Sequence, residues 1–221
     1  MSTRSGRIVI RGFGTDDPVV SKGDAVIGPD GIVSSSPHTA VEITCPEGTD
    51  VVVGSISGAV TCSGRLGRVA VTNRSGRVEV EHGDEVDVRT ASGAISVDRC
   101  EGSCSVVTTS GRVRIGSAAS VRATNTSGRI EARRTKDAMV RSASGRVVVG
   151  AVGGGRIEIE VIAGAVEVSL PGGSRPVMSL SSVSGRIRAG NRSVADGQDG
   201  NEGDGVVVVT SISGAITVTE Q

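Results

Sequence analysis

Apolar and polar residues alternate along most of the chain in short runs, and the runs recur around Ser-Gly dipeptides. Two apolar residues follow each glycine at two and four positions, as Val78 and Val80 do, and two precede each serine, as Val69 and Val71 do. The dipeptides begin at Ser57, Ser75, Ser92, Ser110, Ser127, Ser144, Ser184 and Ser213, with Ala163-Gly164 between Ser144 and Ser184. Because alternation puts successive side chains on opposite faces, each repeat predicts two strands with an inward apolar face.

The spacing of the Ser-Gly dipeptides predicts the architecture. Most intervals are 17 to 19 residues, and the last two lengthen to 21 and 29. Units this short cannot fold alone, so they must bury one another in a stack. We therefore predict an all-β, single-chain parallel β-solenoid with two strands per coil and a chain corner at each glycine. Polar residues just before the corners, such as Asn73, Thr90 and Asn125, are expected to hydrogen-bond up and down the stack.

The two ends of the chain depart from the repeat. Residues 11–40 carry three prolines, so we predict that residues 1–40 form irregular amino-terminal coils that cap the stack. The solenoid repeats are predicted over 41–221, with an acidic, glycine-rich loop at 191–205. The chain finishes in a strand-like run without a cap, so Ile216 and Val218 are expected to lie on an open edge strand that pairs with a partner.

The composition limits which side chains can fill the interior and which chemistry the protein can carry out. The chain has 33 glycines, a single aromatic residue, Phe13, and only two histidines, His38 and His82. Small branched side chains must therefore fill the core, and aromatic walls that stack sugar rings are unavailable. No catalytic, cofactor-binding or metal-binding constellation is recognisable, so we expect a non-enzymatic protein without cofactors. A polysaccharide-active enzyme is the least favoured interpretation.

Charge is segregated although the net charge is zero. Residues 105–150 hold nine basic and two acidic side chains, a net of +7, so the rest of the chain sums to −7. Arg112, Arg129 and Arg146 each follow a corner glycine and should stack about 4.8 Å apart. With Arg114 they are candidate contacts for a polyanion such as nucleic acid, a wall polymer or an anionic lipid surface. The alternative is a solvated face.

Two smaller groups of residues, the cysteines and the acidic loop, each have a functional interpretation and a purely structural one. Cys45 and Cys62 are predicted to occupy one inward column in adjacent coils, as buried thiols or as a disulfide. Cys100 and Cys104 are half of a metal site without further ligands. The loop residues Asp196, Asp199, Glu202 and Asp204 offer oxygen ligands for Ca²⁺, or they form a solvated loop.

A resemblance adds to this picture. The segment ITCPEGTDVVVGSISGAVTCSGRLG, with its Pro-x-Gly turn, GRLG segment and repeated Ser-Gly corners, resembles a bacterial adhesin-type family of β-strand-repeat proteins, a domain of unknown function. The likeness covers about residues 41–220. It implies a β-solenoid and supplies no catalytic residue to carry over.

Together these observations predict an adhesin-like scaffold that docks a partner or self-associates through its carboxy-terminal edge. The alternative is a polyanion-binding module that uses the basic belt of residues 105–150. No secretory signal and no run of eighteen apolar residues is visible, so a cytoplasmic location without a transmembrane segment is expected. No small-molecule substrate is evident.

Overall fold

The computed structural model describes residues 2–14, 17–22, 25–27, 33–35, 40–189 and 205–220, and among them it contains strands and no helix. The acidic loop predicted at 191–205 lies outside the described residues except for Gly205. The strands are β1 (Ser2–Ser5), β2 (Ile8–Gly12), β3 (Val19–Lys22), β4 (Ala25–Ile27), β5 (Val33–Ser35), β6 (Val41–Cys45), β7 (Val51–Ser57), β8 (Val60–Ser75), β9 (Val78–Ala151), β10 (Arg156–Leu170), β11 (Val177–Ser184), β12 (Ile187–Ala189), β13 (Val206–Ser213) and β14 (Ile216–Glu220).

The predicted all-β solenoid is confirmed. Strand pairing is parallel between successive coils, for example Val60 with Val78 and Val69 with Val86. β9 is one long run of extended chain that passes through several coils, and it pairs in parallel with β8 on one side and β10 on the other. Extended chain in a stack of coils satisfies its backbone groups from the coils above and below, so the fold needs no helical layer.

Glycine is required at the corners because the backbone of the next coil leaves no room for a side chain. Gly128 has a φ of 134°, and a Cβ built there would overlap the carbonyl oxygen of Gly111. The same contact links the glycines into one column, whose order in space is Gly6, Gly58, Gly76, Gly93, Gly111, Gly128, Gly145, Gly164, Gly214 and Gly185. We name each coil by its corner glycine.

The core consists of stacked rows of valine, isoleucine and alanine, as the alternation predicts. Val140, Val147 and Ile159 are fully buried. Branched side chains of similar size nest in successive coils because parallel pairing keeps them in register. The rows run from Ile8 near one end of the stack to Val218 near the other.

Buried polar residues stand in a column just inside the corners, as their position predicts, but their hydrogen bonds run differently. The hydroxyls of Thr90, Thr108 and Ser142 donate to the carbonyl oxygen two residues further along the same chain segment, at 3.2 to 3.4 Å. Asn73 instead donates to Gly58 of the neighbouring coil. The predicted ladder along the stack is therefore mostly replaced by bonds that brace each corner.

The amino-terminal strands form a regular coil rather than an irregular cap. β1 pairs in parallel with β7 and β5, and β2 pairs in parallel with β8 and β6. The prediction that residues 1–40 are irregular is therefore wrong for 2–12, which turn at Ser5-Gly6 and insert between two later coils. The next two strands pair differently: β3 is antiparallel to β6, and β4 is antiparallel to β5.

The carboxy-terminal coil also lies between two coils that earlier parts of the chain form. β13 lies between β10 and β11, and β14 lies between β10 and β12. Ile216 and Val218 point into the core and are 0% and 4% exposed. The predicted open edge at Ile216 and Val218 is therefore wrong, because the final strand is paired on both sides. Among the described coils, the outermost at this end is formed by β11 and β12.

Candidate functional site: the corner ridge and the two outward faces

Each coil presents two outward faces that meet at the Ser-Gly corner. The pre-corner face consists of the outward side chains one, three, five and seven residues before the corner serine, or before Ala163 in the Gly164 coil. The post-corner face consists of those one, three and five residues after the glycine. We call the line along which they meet the corner ridge. The chemistry of the corner ridge differs from coil to coil only through the side chains, because the backbone is nearly the same in each coil.

The predicted arginine row lies on the corner ridge. Arg112, Arg129 and Arg146 are exposed and directly follow the stacked corner glycines. Arg112 and Arg129 form no ion pair within the described residues. Two adjacent coils thus present unpaired guanidinium groups, and exposed threonines, Thr109 and Thr126, lie on the opposite side of the same corners.

Acidic residues partly neutralise the rest of the predicted belt. Glu131 lies 2.9 Å from Arg133 and 3.8 Å from Arg114, and Glu167 lies 3.8 Å from Arg146. The hydrogen bond from Arg133, with the positive charges of Arg133, Arg114 and Arg129, lowers the pKa of Glu131. The four predicted arginines are therefore brought to one surface but are not equivalent. Arg114 and Arg146 form ion pairs with carboxylates, whereas Arg112 and Arg129 form none within the described residues, although the charge of Arg129 still acts on Glu131.

The pre-corner face carries exposed apolar residues near both ends of the stack, which the sequence reasoning missed. In the Gly58 coil Val52 is 69% exposed and Ile56 is 48% exposed, and in the Gly214 coil Ile212 is 51% exposed. Ile162 and Val183 in neighbouring coils are also exposed. The signal was present in the near-identical runs VVVGSISGA and VVVVTSISGA, which are apolar at outward as well as inward positions.

Between its apolar ends the pre-corner face is polar and carries charged side chains in most coils, whereas the Gly111 coil presents short ones. The Gly111 coil presents Ser103, Ser105, Val107 and Thr109. A shallow groove of about 200 Å³ lies nearby, lined among others by Arg122, Met139 and Arg156. It is open to solvent and offers no enclosed volume comparable to a small-molecule pocket. The face is therefore suited to contact with another surface.

The four cysteines are buried free thiols, and none forms a disulfide. Cys45 aligns with Gly12, whereas Cys62 aligns with Ile10, so β2 separates the two cysteines and they do not share the predicted column. Two strand spacings, about 9.6 Å, exceed the Cα separation of a disulfide. Burial raises the pKa of Cys62 to about 12. A hydrogen bond with Cys100, together with burial, raises the pKa of Cys104. Within the described part of the chain no group of three potential metal ligands occurs.

The fold and its surfaces define a class: a parallel β-solenoid that displays flat faces and a basic ridge. A family model, Toastrack DUF4097, matches residues 19–219, so the chain belongs to that family, whose domain is β-structured and has no known function. This agrees with the β-repeat domain of unknown function that the resemblance implied. The adhesin-type role stays a prediction.

Further comparison adds no relative. No curated protein and no solved structure gives a significant match to the chain. In the described portion no helix long and apolar enough to cross a membrane is present. Function therefore has to be argued from the surfaces themselves.

Proposed function

We propose that the protein is a non-enzymatic interaction scaffold that docks a macromolecular partner on its pre-corner face. The observation that carries this proposal is the set of exposed branched residues near the two ends of that face, above all Val52, Ile56, Ile162 and Ile212. An outward apolar residue costs solubility and contributes nothing to the core, so a group of them near each end favours a contact surface. The adhesin-type role is one form of this function.

The test compares two engineered cysteines on opposite faces. Ser105 lies on the pre-corner face and Ser96 on the post-corner face, and both side chains are half-buried. The native cysteines are buried, so labelling of the background is slow. In cells that express the chain, S105C should react with a membrane-permeant maleimide at least several-fold more slowly than S96C. Equal rates in cells would overturn the proposal, and denatured protein gives the reference rate for each variant.

A second function is favoured by a separate observation, the unpaired guanidinium groups of Arg112 and Arg129. We propose polyanion binding on the corner ridge as the alternative. Adjacent arginines about 4.8 Å apart can each contact an anionic oxygen of a phosphate chain. The neighbouring hydroxyls of Thr109 and Thr126 can donate to the same chain.

Inorganic polyphosphate serves as the probe for the alternative. The R112A/R129A variant should lose about tenfold or more in affinity, because two charge-assisted contacts are removed. The matched control is R114A/R146A, which removes the same charge from arginines that already face carboxylates and should lose less. Affinity should also fall steeply with added salt. Equal losses in the two double variants, or binding that ignores salt, would exclude a specific ridge site.

A further inference from the structure

The corner ridge carries no acidic residue in the coils that the structure describes, although the chain has 24 acidic and 24 basic side chains. Two side chains per coil form the ridge, namely the one before the corner serine, or before Ala163, and the one after the corner glycine. From the Gly58 coil to the Gly185 coil these positions hold only arginine, isoleucine, valine, alanine and threonine. The arginines are Arg74, Arg77, Arg112, Arg129, Arg146 and Arg186, and the branched apolar residues are Ile56, Ile162, Ile212 and Val183. The ridge is therefore both basic and apolar.

Carboxylates lie behind the ridge on both faces. The nearest in sequence are three residues from a corner, Glu160 on the pre-corner face and Glu79, Glu131 and Glu167 on the post-corner face. They are two strand positions, about 6.6 Å, further from the corner than the ridge side chains. Because the two faces meet at the ridge as an outward corner, the ridge side chains reach a flat surface before these carboxylates do.

The apolar part of the ridge lies directly beside the arginine row. Ile162, Ile212 and Val183 stand in three successive coils, between Arg146 on one side and Arg186 in the outermost coil, and Val183 is 82% exposed. A polymer of phosphates offers branched side chains no apolar layer to enter. The interface of a bilayer offers anionic headgroups to arginine and, just beneath them, acyl chains to apolar residues. The combination of both residue types on one line therefore favours a bilayer.

From this composition we propose that the corner ridge binds the surface of an anionic lipid bilayer, with the long axis of the stack parallel to the membrane plane. The inference rests on the proposed binding of anions at the ridge and names the anionic partner. The arginines contact headgroup phosphates, and the isoleucines and Val183 enter the boundary between headgroups and acyl chains. The remaining ridge residues are alanine and threonine, which are too short to hold the two surfaces apart. Eight coil steps from Gly58 to Gly185 give a line of contact about 38 Å long.

Co-sedimentation of the purified chain with lipid vesicles tests the partner. The wild type should bind vesicles of equal parts phosphatidylglycerol and phosphatidylcholine, and it should bind phosphatidylcholine alone far more weakly. Added salt should weaken the binding. R112A/R129A should lose about tenfold or more in affinity for the mixed vesicles, because two arginines at the surface are removed. The matched control is R68A/R122A, which removes the same charge from exposed arginines of the pre-corner face that form no ion pair within the described residues. Equal losses in the two double variants would overturn the inference.

The apolar ridge residues distinguish a bilayer from a phosphate polymer. I162S/I212S should weaken binding to the mixed vesicles about fivefold or more and leave the affinity for polyphosphate unchanged, since only the bilayer has an apolar layer. The matched control V52S/V107S removes exposed valines of the pre-corner face that lie off the ridge, and it should bind vesicles as the wild type does. The chain has no tryptophan, so I212W adds a single fluorophore whose emission should shift to the blue on mixed vesicles, whereas that of V107W should not.

Circular dichroism and thermal unfolding check that each variant folds, which the exposed positions of the substituted residues allow. Binding of polyphosphate through Arg112 and Arg129 without binding of mixed vesicles would overturn the bilayer as partner and retain anion binding at the ridge. Vesicle binding that I162S/I212S does not change, with no blue shift in I212W, would also overturn it, because the contact would then be with charge alone. Affinities for both ligands that R112A/R129A leaves unchanged would overturn the inference and the proposed anion binding together.

Discussion

The middle of the solenoid and its two ends are built from the same repeat but are assembled differently. From Gly58 to Gly164 each coil stacks on the one that precedes it in the chain. At both ends the order in space departs from the order in sequence, since residues 2–12 and 206–220 insert between coils that are connected to each other elsewhere. The middle is therefore held by contacts between neighbouring repeats, and the ends require pairing between distant segments.

This difference has a structural benefit at the termini. An inserted terminal coil has its backbone groups paired on both faces, so neither β2 nor β14 presents the open edge that a simple stack would leave. The outermost positions in the stack are instead occupied by segments from the interior of the sequence, such as β11 and β12. The comparison predicts that substitutions in the middle act on the whole stack and those in the outer coil act locally.

The largest expected effect is at a corner glycine of the middle. G128A forces a Cβ against the carbonyl oxygen of Gly111 at a φ of 134°, and it should lower the free energy of unfolding by about 3 kcal/mol or more. G185A meets the carbonyl oxygen of Gly214 in the outer coil and should melt that coil alone. Urea unfolding with hydrogen exchange separates the two results.

G14A is the control for these glycine variants, since no atom lies within 4 Å of the added Cβ and the change should be near neutral. Equal global destabilisation by G128A and G185A would contradict the distinction between middle and end.

A core truncation should give an intermediate effect. I159A removes a fully buried side chain from the Gly164 coil and should cost about 3 kcal/mol, from lost burial and the cavity left behind. L180A removes a half-buried side chain from the outer coil and should cost about 1 kcal/mol. Thermal unfolding gives both values. A larger loss for L180A would mean that the outer coil is central to the cooperativity of the stack.

The smallest effect is expected at a surface carboxylate. E131Q removes an acceptor that faces Arg114 and Arg133 and should cost less than about 1 kcal/mol. The pKa of Glu131 is lowered in the folded protein, so its contribution is present above the unfolded pKa and is lost as pH falls through the folded pKa.

E42Q is the matched variant at the amino-terminal end, where Glu42 lies 2.9 Å from Arg11, its one ion-pair partner within the described residues. Thermal unfolding at neutral pH should therefore show a larger loss of stability for E131Q than for E42Q. The reverse order would show that the number of neighbouring arginines does not set the effect.

Much of the fold was predicted from the local sequence pattern, and each wrong prediction has an identifiable physical cause. The inward rows, the corner glycines and the buried polar column were predicted because each depends on residues a few positions apart. Ser5-Gly6 was missed although RSGRIVI matches RSGRVEV at 74–80, since its distance from the next corner breaks the period. The arginine ridge was predicted, but the pairing of Arg114 and Arg146 was not, because it depends on which carboxylate stacks beside each one.

The sequence by itself determined the repeat, the strand alternation, the glycine corners and the basic segment, since short-range sterics and burial set all of these. Only the tertiary structure decided which coils are neighbours at the ends. Pairing in a parallel stack is nearly degenerate, because many coils offer the same register and similar apolar rows. The position of each coil in the stack then depends on long-range closure of the chain. The same closure covers Ile216 and Val218 and places exposed apolar residues near both ends of the pre-corner face.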